Sequence, residues 1–281
     1  MVCLHISSLI SWDSIKYLGS LRKIELTKWA ISDIILRKKT FTFESSEHIV
    51  MANNMIQQQK VLIRRLKENG ASLVGFGDVS LMGSELERNF PVAISLGVKH
   101  NIKIVENLHR DEESFHHHLE TLTTSMERLT NIIEKLLSKW GYQYRTIPVE
   151  ILIKNNKQLR ELQTFPHKTA ATSAGLGWIG KCALLVTPEY GPRIKLGTVL
   201  TNARFKTSEP IVRDRCEGCS LCVDACPYGA INNVNWERGM ERERLFDAYV
   251  CNEKRLNYIS VMGRKHSCGF CLQACSFGKE G

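Results

Sequence analysis

The residues with the clearest chemistry are cysteines. Ten are present, and eight of them fall between Cys216 and Cys275. The first group reads Cys216-Glu-Gly-Cys219-Ser-Leu-Cys222-Val-Asp-Ala-Cys226-Pro227, a C-x2-C-x2-C-x3-C-P run. Three thiolates this close in sequence can wrap three corners of one [4Fe–4S] cubane, and Pro227 turns the fourth cysteine away towards a second cluster. The second group, Cys268-Gly-Phe-Cys271-Leu-Gln-Ala-Cys275, is one ligand short of a full run, and Ser276 stands where a proline would be expected. Cys251, sixteen intervening residues upstream, supplies the missing ligand. The spacing predicts crossed ligation. Cys216, Cys219, Cys222 and Cys275 serve one cluster, and Cys226, Cys251, Cys268 and Cys271 serve the other. Structural zinc is the competing use of C-x-x-C pairs, but it normally takes two separated knuckles. Clusters with a purely structural role are a second alternative; the closeness of a crossed pair favours electron relay instead.

The rest of the composition is that of an ordinary globular chain, 281 residues long with 43% hydrophobic and 24% charged residues. It holds no run of 18 apolar residues, and the N-terminus has no basic start followed by an apolar stretch. Neither a membrane span nor an export signal is expected, which points to a cytoplasmic protein. Cysteines packed at one end of such a chain imply a metal centre rather than a disulfide framework. The formal charge of +9 counts every cysteine as neutral. Two clusters of about −2 each would bring it to roughly +5, a size expected of a solvated surface. An acidic electron-donor protein could use that charge as well as RNA could.

The elements that must position these cysteines are legible in outline. Residues 1–50 lack sustained periodicity and are expected to form an appendage, an extension upstream of the true start, or else an N-terminal helical arm. A helix opening at Met51 or Met55 carries Ile56, Ile63 and Leu66 on one face and stops at Asn69-Gly70. Short apolar runs at 72–76 and 92–98 read as strands. Leu119, Leu122, Met126, Leu129, Ile133, Leu136 and Trp140 recur at steps of three or four, which predicts a long helix ending at Gly141. His116, His117 and His118 open it, about 100° apart, and so cannot share one metal ion. Residues 143–153 read as extended, 157–163 and 168–174 as helical. Runs at 183–186 and 194–201 read as strands joined by a hairpin-like turn. The alternation implies an α/β or α+β domain over 51–205, followed by a cysteine domain over 206–281.

Gly175-Leu-Gly177-Trp178-Ile-Gly180 matches G-x-G-x-x-G. A dinucleotide fingerprint follows a strand and opens a helix. Here a helix precedes the glycines and a strand follows, so nicotinamide is not the expected ligand. The loop permits close approach of backbone to a flat or bulky ligand instead.

The segment Ala174-Gly-Leu-Gly-Trp-Ile-Gly-Lys181, then Ala183-Leu-Leu-Val and Leu196-Gly-Thr-Val-Leu-Thr201, followed by the eight cysteines in order, resembles the cobalamin-dependent epoxyqueuosine reductases. The likeness covers 165–281 most specifically and 51–164 more loosely. It implies a nitroreductase-like cobalamin-binding α/β domain joined to a ferredoxin-like double-cluster domain, an α+β fold overall. It implies two [4Fe–4S] clusters and a corrinoid as cofactors, seated against Gly175, Gly177, Trp178, Gly180 and Lys181. It also implies an electron-donor protein of ferredoxin or flavodoxin type, and a modified tRNA base as the substrate of the full-length enzymes. The Asp proton donor that the likeness implies ahead of the loop has no counterpart in 162–169, where His167 or Lys168 is the available group. Cys182 replaces the Asn expected after the loop lysine, and no helical-repeat extension for gripping tRNA is expected beyond Cys275. The alternative function is a ferredoxin-like or corrinoid-reducing partner with no organic substrate of its own.

Overall fold

In the computed structural model the described residues are 53–151, 153–162, 164–261 and 268–279, and the expected N-terminal extension lies outside them. The sheet and the cysteine-rich segment belong to one compact unit that runs from Met55 onward. Its centre is a four-stranded antiparallel sheet in the order β1-β2-β6-β3. The strands are β1 (Leu73–Asp78), β2 (Val92–Lys99), β3 (Tyr144–Ile147) and β6 (Ile194–Thr201).

Strand alternation sends the two faces of this sheet to different partners. Phe76, Val92, Ile94, Leu96 and Val199 point to one face. They pack on Leu62 and Leu66 of helix α1 (53–68) and on Met126, Leu129, Ile133 and Leu137 of α4 (Glu112–Lys139). The long helix is therefore where its periodicity placed it, capped by Asp111, whose side chain accepts the Ser114 amide at 3.0 Å. On α1 the buried stripe runs through Leu62 and Leu66, while Ile56 stays 44% exposed near the start of the helix. The opposite face, with Ala93, Ser95, Thr198 and Leu200, receives α6 (His167–Ser173). Glycines allow this approach. A Cβ on Gly77 would lie 2.6 Å from the Ser173 carbonyl carbon, and one on Gly75 would lie 2.9 Å from the Ala174 oxygen.

Two short helices, α2 (Glu85–Asn89) and α3 (Ile102–Glu106), connect the first strands to α4. The extended run expected over 143–153 is a four-residue strand that ends before Pro148, and α5 (Asn156–Glu161) follows. The hairpin-like reading of 183–201 needs correction. β5 (Leu185–Val186) pairs with β4 (Trp178–Ile179) in a separate two-stranded ribbon, while β6 joins the main sheet. The turn between them closes on itself: Thr187 and Gly191 exchange backbone hydrogen bonds of 2.9 Å, which leaves β5 no register with β6. Four helices complete the cysteine region: α7 (Leu221–Asp224), α8 (Arg242–Leu245), α9 (Ala248–Val261) and α10 (Phe270–Ala274). No described helix is long and apolar enough to cross a membrane.

The contact between β1 and α6 is backbone against backbone at Gly77, so relaxation cannot come from a flexible side chain. Gly77→Ala is expected to destabilise the protein by about 1–3 kcal/mol or more, read as a lower denaturant midpoint with an unchanged slope.

Candidate metal centre and adjoining cavity

Three stretches of chain deliver the thiols. In the first, Asp214 accepts the Cys216 amide at 2.7 Å, and the Cys219 amide closes a turn on the Cys216 carbonyl at 2.9 Å. Glu217 takes a left-handed φ of 48° to make that turn. Helix α7 then carries Cys222, and its last turn presents Cys226, whose amide meets the Val223 carbonyl at 3.1 Å. In the second, Asp247 caps α9 by accepting the amides of Tyr249 at 3.0 Å and Val250 at 2.9 Å, which fixes Cys251 in the first turn. In the third, Gly269 at φ 67° starts α10, which holds Cys271 and releases Cys275 into extended chain. Helices α7 and α10 pack together.

The sulfurs fall into two groups by proximity. Cys275 feels both Cys216 and Cys222, and Cys216 feels Cys222. Cys251 feels Cys268 and Cys226, and Cys268 feels Cys226. Each group joins segments far apart in sequence. Cys219 stands on the turn beside Cys216. Cys271 stands on α10, near Cys182. Among the described residues, no cluster of three or more His, Cys, Asp or Glu side chains is arranged to hold one single ion.

Burial is the main force on these thiols. It raises Cys216, Cys268 and Cys275 and pushes Cys251 up to about 11. Cys222 is raised first by its hydrogen bond with Cys182 and then by burial. Thiolates here need compensation, and the fold supplies it. Backbone amides point at sulfur from Lys181 to Cys216, from Phe270 and Gly269 to Cys268, and from Phe277 to Cys275. Positive charge stands near Cys222 from Lys181, near Cys275 from Arg193, and near Cys251 and Cys268 from Arg255. The indole N–H of Trp178 is buried with no formed hydrogen bond and lies within reach of Cys216. Inward amides, basic neighbours and a spare donor fit an anionic iron–sulfur core.

Arg193 ties the last cysteines to the sheet. It is 3% exposed, and its guanidinium donates to the carbonyls of Cys275 at 3.0 Å, Leu272 at 3.4 Å and Phe277. Nothing in the sequence marks this residue beyond its place after a turn-rich stretch. The same holds for Asp247.

The glycine loop faces the cysteine region. Trp178 is 1% exposed, and its ring meets Phe277 edge-on at 5.0 Å and carries Arg215 at 5.4 Å. Lys181 is also buried and donates to Asn233 at 2.9 Å. The space beside Gly177 is filled by the Val186 carbonyl, and that beside Gly180 by Val186 with the sulfurs of Cys216 and Cys182 close by. Beyond the loop, Cys182, Ala183 and Leu184 form part of the wall of a cavity of about 500 Å³. Cys251, Cys268 and Cys271 form another part of that wall. The cavity is lined by apolar side chains such as Phe115 and Leu159, with Lys168, Arg242 and Arg255 and no carboxylate among the described lining residues.

His167 and Lys168 separate in role. The His167 ring is fixed at both nitrogens, to Thr198 Oγ1 at 2.8 Å and to the Pro148 carbonyl at 2.9 Å. A carbonyl only accepts, so Nε2 carries the proton and Nδ1 accepts from Thr198. Lys168 is half-buried and reaches the cavity wall, where its ammonium donates to the Ala183 carbonyl at 2.6 Å and desolvation lowers its pKa. The histidine triplet diverges. His116 and His117 turn to Glu120, and His118 accepts the Asn101 amide at 3.1 Å and stacks edge-on with His100.

His100 lines the cavity too, and burial, then His118, Lys195 and Arg193, lower its pKa to about 3. The unfolded chain binds a proton near pH 6.5 that the folded chain refuses until about pH 3. Stability is therefore lost as pH falls through that window, at up to about 1.4 kcal/mol per pH unit. His118 and His167 act with the same sign. His100→Gln is expected to flatten the dependence of the denaturant midpoint between pH 6.5 and 5.5, with little change at pH 8.

Comparison with known proteins bears on this site directly. The family described as 4Fe-4S binding domain matches residues 209–232. An epoxyqueuosine reductase of Bacillus cereus is 42% identical over 98 residues, 35% of this chain and 24% of that protein. One of Listeria monocytogenes is 29% identical over 158 residues, 50% of this chain and 40% of the relative. The chain spans between 24% and 47% of the length of the curated relatives it matches. Among solved structures, an epoxyqueuosine reductase superposes with a TM-score of 0.52 at 18% identity, covering 80% of this chain and 66% of the other. A catabolic reductive dehalogenase superposes with a TM-score of 0.57 at 18% identity, covering 75% of this chain and 30% of the other. Cys216, Cys219, Cys222 and Cys226 thus lie in the segment matched by the 4Fe-4S binding domain, within a chain that resembles the epoxyqueuosine reductases in sequence and shares their fold.

Proposed function

We propose that this chain is an iron–sulfur oxidoreductase of the epoxyqueuosine reductase type, with two [4Fe–4S] clusters and a corrinoid. One observation carries the reading: Cys251, Cys268 and Cys271 form part of the wall of a basic cavity that otherwise has largely apolar sides. The ligand sets are Cys216, Cys219, Cys222 and Cys275 for one cluster, and Cys226, Cys251, Cys268 and Cys271 for the other. The division near residue 205 separates a nitroreductase-like α/β domain from a ferredoxin-like double-cluster domain.

The apolar walls suit a broad, flat macrocycle, and the absence of a carboxylate among the described lining residues suits a cofactor or substrate bearing phosphate. When bound, a corrinoid supplies a low-potential cobalt centre able to reduce substrate by single-electron steps. The chain does the rest. Arg242 and Arg255 hold negative charge at the cavity wall, and Lys168 keeps a positive or proton-bearing group beside Ala183. Gly175, Gly177, Trp178, Gly180 and Lys181 would support the Cys182–Leu184 wall against which the cofactor would sit, with Cys216 close to Gly180 on the other side. Electrons would come from a ferredoxin- or flavodoxin-type donor in the cytoplasm. The substrate would be a modified tRNA base, since a solved epoxyqueuosine reductase with the same fold was captured with an epoxyqueuosine-modified tRNA stem loop.

Anaerobically purified protein should carry about eight irons per chain and should bind added cobalamin stoichiometrically with a base-off spectrum. About eight irons without bound corrinoid would instead establish the electron-transfer partner. Cys251→Ser is expected to lose about four irons and to stop reduction of the corrinoid, while the signal of the first cluster remains. Loss of both clusters in equal measure would contradict the assigned ligand sets.

A further inference from the structure

His100 also lines a second cavity, of about 460 Å³. Separate stretches of chain build it. Past the end of β2, the His100 amide donates to the Arg193 carbonyl at 2.9 Å and carries the β2–β6 ladder one step further. Asn101 then turns the chain into α3, its side chain accepting the Lys103 amide at 3.0 Å. Helix α4 contributes His118, and the Thr187–Gly191 turn contributes Tyr190, whose amide donates to Thr187 Oγ1 at 3.0 Å.

The full charges in this wall are of one sign. Lys99 and Arg193 line it, and no carboxylate does among the described lining residues. The Lys99 side chain is exposed, with its ammonium 5.8 Å from the centre of the Tyr190 ring. Arg193 belongs to the buried part. Its bonds to the carbonyls of Leu272, Cys275 and Phe277 fix the guanidinium without neutralising it, since a carbonyl carries no net charge. Cys275 and then Glu106 are the acidic groups that act on it. Two histidines add neutral polarity. His118 accepts the Asn101 amide through Nε2, so its proton sits on Nδ1, which is a donor. The Nδ1 of His100 is buried and has no hydrogen bond among the described residues. An unpaired buried polar atom is costly. Positive neighbours disfavour a metal cation as its partner, and an apolar ligand would leave it unpaired.

We propose that this cavity is a binding site for a phosphate monoester dianion, held between Lys99 and Arg193 with the His100 and His118 rings as neutral donors. Two cations match two negative charges, and a cleft lined by one sign of charge concentrates the opposite one. The phosphate oxygens accept from several donors at once. The volume leaves room for a small organic group on the ester, and Tyr190 and Ile102 offer it apolar surface. The inference stands apart from any corrinoid or substrate in the larger cavity. His100 is shared by both, so occupancy here is felt at the wall that Cys268 and Cys271 also line.

The test uses the full chain, purified anaerobically and held at constant ionic strength. Binding of methyl phosphate is followed by calorimetry, with dimethyl phosphate as the singly charged diester. Wild type is compared with Lys99→Gln, Lys99→Arg and Lys139→Gln, the last an exposed lysine in the final turn of α4. Saturable binding at a single site is expected, weakened roughly three- to tenfold in Lys99→Gln, restored in Lys99→Arg and unchanged in Lys139→Gln. Ring-nitrogen resonances of His100 and His118 in isotope-labelled protein should move in step with saturation. Equal weakening in Lys99→Gln and Lys139→Gln, or histidine resonances that stay still, would reduce the effect to diffuse surface attraction and overturn the proposal. Equal affinity for the two esters, or displacement of methyl phosphate by cobalamin, would assign the cavity to a phosphodiester and overturn it too.

Discussion

Sulfur taken out of water sets the terms for this structure. A buried thiol resists ionisation, and every cysteine of the site whose acidity is clearly shifted is shifted upward. Metal ligation demands the opposite, thiolate, form. The fold meets that demand with fixed dipoles and charges: amides of the glycine loop and of α10, the Lys181 ammonium, and the Arg193 and Arg255 guanidiniums. Much of the architecture exists to hold these groups at the sulfurs. The ribbon of β4 and β5 carries Lys181, the Thr187–Gly191 turn positions Arg193, and Asp247 nucleates the helix that presents Cys251.

This constraint explains why the glycine loop and the cysteine region interlock. A Cβ at Gly175, Gly177 or Gly180 would collide with the Glu209 carbonyl, the Val186 carbonyl or the Val186 side chain. The loop is small so that it can sit against the first thiol group, and its continuation then forms part of the cavity wall. A cofactor in that cavity would touch the chain immediately after the loop, at Cys182 to Leu184, with cysteines of the second set on another side. The short distance from metal ligand to cavity follows from packing, with no need for a long relay.

The cysteine spacing made the metal centre legible, because ligands on one turn are a local property. The crossed assignment is a reading of spacing alone, since Pro227 and the shortfall at Cys268–Cys275 each point elsewhere. The α4 stripe was equally plain, being set by helical period alone. Features made by contact between distant segments were not legible. Arg193 serves carbonyls some eighty residues away, and no local pattern announces that. The pairing of β5 with β4 depended on a tight turn at Thr187–Gly191 that also fits a hairpin.

The claim on which the rest stands is that two cubanes lie close together, each held by segments from both cysteine runs. Electron paramagnetic resonance of the fully reduced, anaerobic protein tests it most directly. The account predicts about two unpaired spins per chain, with a broadened, split spectrum from magnetic interaction between neighbouring clusters. A single, sharp, unsplit signal of about one spin per chain would contradict it, as would a silent protein that contains zinc in place of iron.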